Sequence, residues 1–202
     1  MFTGDLPKAI PLLQRGLVLD QVAGLPLLFP FVASPLGVAY ARSGRAAEAL
    51  WLCQQAVDQA TSMNLMANQS LRITWLGEAH VRAGRPDGAT ESARRALGLS
   101  REQKERGHEA YALRLLGEIG SHRDPPDAEE GHDYYRQALA LARELGMRPL
   151  AARCLLELGT LFGRTGDRAR AREHLGCAVE RFRELDMPGW LAQSEAELAA
   201  LG

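Results

Sequence analysis

The chain has almost no net charge. Its 24 Lys and Arg are balanced by 25 Asp and Glu, for a formal net charge of -1 at pH 7. That balance excludes the broad basic surface on which DNA, RNA or an anionic membrane is held, so neither a nucleic acid nor a membrane is expected as partner. Cysteine is scarce. Cys53, Cys154 and Cys177 are odd in number and show no CxxC spacing. A reducing, cytoplasmic location is the simplest inference from them. Catalytic signatures are missing too: there is no HExxH, no GxSxG, no Gly-Lys dipeptide and no phosphate-binding glycine loop. His108-Glu109 runs into Ala110-Tyr111-Ala112 and makes no zinc motif. The expectation is a protein that is not an enzyme and carries no cofactor and no metal. No basic segment followed by an apolar run and a cleavage site opens the chain, so no signal peptide is expected. Charge is absent from Gln21 to Ala41, a length that would span a bilayer. Pro26, Pro30 and Pro35 interrupt this stretch, however, and Gln21, Gly24 and Ser34 dilute it. A buried helix explains the same residues.

What is present is a repeat. Leu36-Gly37, Leu76-Gly77, Leu116-Gly117 and Leu158-Gly159 place their glycines 40, 40 and 42 residues apart. Seven residues after three of them come Gly44, Gly84 and Gly166, then Ala49, Ala89 and Ala171, then Ala56, Ala96 and Ala178. Gly4 and Ala9 hold the same register, so the chain starts halfway through a unit. A fixed step of this size marks a stacked array, and such arrays bind far more often than they catalyse. Each unit reads as two antiparallel helices. The first carries apolar residues at helical spacing, as in Ile73, Leu76, Gly77 and His80, and ends at Arg-x-Gly. Glycine accepts the left-handed conformation that closes a helix, and arginine complements the helix dipole there. The recurrent Gly and Ala are small because two helices cross closely at those positions.

The unit that begins at Leu116-Gly117 departs from the pattern. Ser121-His122-Arg123-Asp124-Pro125-Pro126-Asp127 replaces the usual turn and accounts for the 42-residue step. Proline makes this a stiff loop, with Asp127 as N-cap of the next helix and Glu130 at the reciprocal capping-box position. Helices are expected near 5–20, 27–43, 46–62, 67–83, 86–101, 107–121, 127–145, 148–164, 167–185 and 188–200. The fold class is all-α: a right-handed α-solenoid of antiparallel helix pairs. A single array fills 1–202, with a half repeat at 1–22, repeats at 23–62, 63–102, 103–144 and 145–185, and a capping helix at 186–202 that opens at Pro188.

The small and large positions resemble those of the tetratricopeptide repeat. Leu36, Gly37, Tyr40, Ala49 and Ala56 fit that pattern, as do Leu158, Gly159, Phe162, Ala171 and Ala178. The usual unit has about 34 residues, against roughly 40 here. A narrower likeness lies in the segment from Gly107 to Ile119, in His122-Arg123-Asp124-Pro125-Pro126 and in the tail from Glu184 to Leu191. These stretches resemble the C-terminal helical repeats of large bacterial signalling proteins that join an adenylate/guanylate cyclase domain to a P-loop ATPase. The resemblance implies a sensor or scaffold piece of a signal-transduction protein.

In an array of this kind the first helices of successive units line a concave groove that receives a protein or peptide. The repeat pattern puts Phe31, Ser34 and Val38 there, with Leu71, Thr74 and Glu78, Tyr111, Arg114 and Glu118, and Arg153, Leu156 and Thr160. Phe31, Val38, Leu71, Glu78, Tyr111, Arg114, Glu118 and Arg153 are the candidate partner-binding residues. Arg42, Arg82, His122 and Arg164 recur once per unit, and complementing helix ends explains them better than a basic ladder. The cluster His122, Asp124, Asp127, Glu129, Glu130 and His132 follows no standard ligand spacing, so capping and solvation account for it. All three cysteines are expected to be buried and inert. At the N-terminal edge the apolar face of Ile10, Leu12, Leu13, Leu17 and Val18 lacks a preceding helix, which makes a homodimer through that edge a second expectation. The alternative function is a small-molecule sensor that regulates an attached ATPase or nucleotide cyclase.

Overall fold

A computed structural model describes residues 6–122 and 128–202. Among these residues there are ten helices and no strand: α1 (Leu6–Ala23), α2 (Phe29–Arg42), α3 (Ala46–Ser62), α4 (Gln69–Arg82), α5 (Pro86–Glu102), α6 (Arg106–Ser121), α7 (Ala128–Glu144), α8 (Arg148–Arg164), α9 (Arg168–Glu184) and α10 (Pro188–Ala199). They pack in consecutive pairs, the arrangement of a tetratricopeptide-like α-solenoid. Every boundary falls within three residues of its expected place, the largest difference being α1, which runs on to Ala23. The expected N-cap Asp127, and Arg123 to Pro126 with it, lie outside the described residues.

The helices form two compact units, Leu6–Leu115 and Leu116–Gly202. In the first, α2 pairs with α3 and α4 with α5, while α1 and α4 both lie against α2. The core is built from Leu36, Tyr40, Ala49, Leu52, Cys53, Ala56, Val57, Ile73 and Leu76. In the second, α8 pairs with α9, and α7 and α10 pack on α8 and α9 respectively. Its core holds Tyr135, Leu155, Leu158, Phe162, Leu175 and Phe182.

The Leu-Gly glycines recur because neighbouring side chains occupy the space a Cβ would need. At Gly77 that atom would lie 2.6 Å from Leu115 Cδ2, at Gly117 2.6 Å from the Tyr135 ring, and at Gly159 2.6 Å from Leu175 Cγ. Ordinary carbon–carbon contact is about 3.5–4.0 Å, so the helices pack as closely as they do only without the methyl.

Three helix pairs, α2–α3, α4–α5 and α8–α9, are closed by the same backbone device. Arg45 N donates to Tyr40 O at 2.9 Å, Arg85 N to His80 O at 3.0 Å and Asp167 N to Phe162 O at 2.9 Å, with Gly44, Gly84 and Gly166 left-handed just before. These are Schellman closures, in which a left-handed residue turns the chain out of the helix. The exits of the second helices use the same geometry with other residues: Gly24, Asn64, Lys104, Gly146 and Asp186 all have positive φ. This second series keeps the repeat step but is invisible to a search for identical residues, because lysine and aspartate stand where glycine or asparagine is favoured.

Candidate partner-binding face

Equivalent positions on α2, α4 and α6 carry Phe31, Leu71 and Tyr111. Phe31 is 41 % exposed, and Leu71 and Tyr111 are half-buried. The positions beyond them on each helix turn inward. Ser34, Val38, Thr74 and Arg114 are fully buried, and Glu78 nearly so. Of the residues expected in a groove within this unit, Phe31, Leu71 and Tyr111 therefore offer surface, whereas Val38, Glu78 and Arg114 form the layer beneath.

That layer is charged. Glu78 accepts from Arg42 Nη2 at 3.5 Å and from Arg114 Nη2 at a shorter distance. One carboxylate is thus shared by cations from the preceding and following first helices. Removing one member of a buried pair costs about 3–5 kcal/mol, so the network is a structural element before it is a contact surface. Beside it lies Arg72, which the groove pattern does not single out. Its guanidinium is buried, lies 4.7 Å from the centre of the Phe31 ring, and donates through Nη1 to Ala67 O at 2.6 Å. Burial lowers the Arg72 pKa. The stack holds the Phe31 ring in place and leaves part of it open.

In the second unit, Glu118 and Arg153 are buried. Arg153 Nη2 donates to Glu157 Oε1 at 3.3 Å, and its guanidinium lies 4.7 Å over the Trp190 ring of α10. The C-terminal helix therefore covers the position equivalent to Phe31. Leu156 is buried and Thr160 half-buried.

Two of the recurrent cations, Arg164 and His122, meet carbonyls at the end of α6, whereas Arg42 pairs with a carboxylate inside α4. Arg164 Nη1 donates to Ser121 O at 3.4 Å, His122 Nδ1 is 2.8 Å from Glu118 O, and Arg42 reaches Glu78. Of the imagined metal cluster, Asp124 and Asp127 lie outside the described residues. Among the described residues, no group of three His, Cys, Asp or Glu is placed to hold a metal ion, and no helix is long and apolar enough to cross a membrane.

Two expectations are corrected. Cys177 is exposed, while Cys53 and Cys154 are buried. Helix α9 buries Ala171, Leu175, Ala178, Val179 and Phe182, and Cys177 falls outside that stripe. Desolvation pushes the Cys53 thiol up to about 12. On α1, Ile10, Leu13 and Leu17 pack onto the core, so the open face is Leu12, Val18, Leu19 and Val22 instead.

One cluster escaped the sequence. Ser70 Oγ lies 2.9 Å from His108 Nδ1 and donates to Glu105 Oε2, which is itself 3.0 Å from the same imidazole nitrogen. These are the residue types of a hydrolytic triad, but Ser70 is 0 % exposed and reaches no substrate. The cluster fastens α4 to the start of α6. Its hydrogen bonds outweigh desolvation and lower the Glu105 pKa.

The comparisons agree with this architecture. Residues 127–184 match the family model of the tetratricopeptide repeat. The crystal structure of BtubC (BKLC) from P. vanneervenii superposes with a TM-score of 0.70 and 22 % identity, over 98 % of this chain and 83 % of that one. No curated protein matches the sequence significantly. Residues 127–184 thus match tetratricopeptide repeats, and nearly the whole chain shares the fold of the BtubC structure. Arrays of this class generally serve protein–protein interaction or scaffolding.

Proposed function

We propose that the chain is a non-catalytic interaction module that seats a protein or peptide on its first-helix face, as the regulatory part of a cytoplasmic signalling protein. The observation that supports this reading is the row Phe31, Leu71 and Tyr111, one open apolar side chain per first helix above the buried Arg42–Glu78–Arg114 layer. Such a row favours an extended or helical segment with apolar side chains spaced to match. Val38, Glu78 and Arg114 support it from below; in the second unit Glu118 continues the Val38–Glu78 series, and Arg153 takes the position equivalent to Phe31. The likeness to cyclase–ATPase signalling proteins is the basis for the signalling role, and a sensor controlling an attached ATPase or cyclase is the alternative it carries. Selection from a displayed peptide library tests the main reading. Phe31→Ser, Leu71→Ser and Tyr111→Ser combined are expected to abolish binding of the selected peptides while circular dichroism stays unchanged. Unchanged binding in that variant sinks the reading.

A second reading concerns self-association. Leu12 is 70 % and Val22 81 % exposed on α1, with Leu19 beside them. An apolar strip of this kind favours a homodimer through the N-terminal edge. Light scattering should then show a dimer that Leu12→Asp with Val22→Asp disperses. A monomer at every concentration rules it out.

A further inference from the structure

A cavity of about 460 Å³ opens between α1, α2 and α3, lined by Leu17, Leu36, Tyr40, Ala47, Glu48, Trp51 and Leu52. It shares no lining residue with the face described above. Its volume lies within the roughly 300–1,000 Å³ of small-molecule sites, and like those it is mostly apolar with few polar groups.

Three features specify what it would take. Trp51 is 64 % exposed at the wall, an unusual cost for the largest apolar side chain unless a ligand covers it. The charges at the rim are already spent. Arg45 Nε donates to Glu48 Oε2 at 2.6 Å and Nη2 donates to Glu48 Oε1, while the Arg45 guanidinium carbon stands 3.7 Å from the centre of the Tyr40 ring. Neither a cation over Tyr40 nor a cation at Glu48 gains a free partner, and an anion meets the Glu48 carboxylate. The Tyr40 hydroxyl is different. Its oxygen accepts from Gln14 Nε2 at 2.8 Å, and among the described residues nothing accepts its proton. A phenolic O–H both donates and accepts, so one hydrogen bond remains to be made.

We propose that this cavity is a binding site for an uncharged small molecule with a ring or branched hydrocarbon body and one hydrogen-bond acceptor, such as a carbonyl. The body lies between Trp51 and the Leu17, Leu36 and Leu52 side chains, and the acceptor receives a hydrogen bond from the Tyr40 hydroxyl. The site is independent of the partner-binding face, so either can fail without the other.

The test uses the full chain and prodan, an uncharged naphthalene with one ketone whose emission reports both polarity and hydrogen bonding at that ketone. Saturable binding to a single site is expected. Tyr40→Phe, which keeps the ring and loses only the hydroxyl, should weaken it about fivefold and remove the hydrogen-bonded emission component. Trp51→Ala, at an exposed position, should weaken it about tenfold or more. Met66→Ser, at an exposed apolar position outside the cavity, should leave it unchanged. Failure of the wild type to bind, equal binding by the Tyr40 and Trp51 variants, or loss of binding in Met66→Ser would each overturn the proposal. The last would mean that the dye sits on exposed apolar surface outside the cavity. Melting curves establish that each variant is folded.

Discussion

Adding one methyl at two glycines of the second unit should move stability in opposite directions. Gly159 and Gly176 both lie inside helices, α8 and α9. Replacing a mid-helix glycine with alanine gains about 1 kcal/mol from backbone propensity alone. At Gly176 nothing lies within 4 Å of the new Cβ, so the gain is realised. At Gly159 the Cβ would lie 2.6 Å from Leu175 Cγ, 2.9 Å from its Cδ2 and 3.1 Å from its backbone nitrogen. The first atom is a branch point and the last belongs to the α9 main chain, so rotating a side-chain tip does not relieve the overlap. Either α9 moves outward by roughly 1 Å or Leu175 leaves its rotamer, at about 3 kcal/mol, the upper end for overpacking. The propensity gain offsets about 1 kcal/mol of this. Gly159→Ala is therefore expected to destabilise by about 2 kcal/mol, or about 4–8 °C in Tm for a chain of this size. Gly176→Ala is expected to stabilise by about 0.5–1 kcal/mol. Thermal and urea unfolding followed by circular dichroism measure both. Leu175→Ala and Gly159→Ala combined should cost less than the sum of the two single changes, because the two sites share one volume. If Gly159→Ala stabilises the protein as Gly176→Ala does, the close-packing account of the repeat glycine is wrong.

Three further outcomes follow from other sites. Lys104 is left-handed at φ 58 where glycine carries no strain, so Lys104→Gly should raise stability by about 1 kcal/mol in the same unfolding assays. Alkylation of the native protein near pH 8 should label Cys177 alone, since Cys53 and Cys154 are buried and the Cys53 thiol is held near 12; mass spectrometry of the modified peptides checks this. His174 stacks 5.4 Å from Phe162, and burial first, with His132, Arg143 and Arg170 adding, lowers its pKa; only Glu173 opposes. The unfolded chain then binds more protons, so stability from this group is present above about pH 6.5 and falls as pH drops through that value toward the folded pKa. His174→Phe should flatten the acid limb of Tm against pH below about 6.5, and an unchanged limb would count against this origin.

Much of the architecture was legible because it depends on local rules. The helix boundaries follow from residues that end helices, and Gly44, Gly84 and Gly166 mark three exits by themselves. The exits at Asn64, Lys104 and Asp186 were not legible as a series, because their geometry is imposed by the pairing of helices and their side chains differ. Cys177 was misplaced for a related reason. Repeat register says which helix a residue lies on, but a rotation of about 100° separates the buried stripe of α9 from its exposed flank. The candidate face shows the same limit. Phe31, Val38, Leu71, Glu78, Tyr111 and Arg114 all occupy groove positions of the pattern, yet only Phe31, Leu71 and Tyr111 keep some surface, because the first helices approach closely enough to bury the rest.

By itself, then, the sequence determined that this chain is helical, repeated every 40 to 42 residues and built from pairs with small residues at their crossings. Those properties depend on spacing along the chain, which the tertiary structure inherits. Only the tertiary structure decided which polar groups meet. Glu78 with Arg42 and Arg114, Ser70 with Glu105 and His108, and Arg153 over Trp190 join residues about one repeat apart. Their distances are set by how closely the helices stack, a quantity fixed by packing volume in three dimensions.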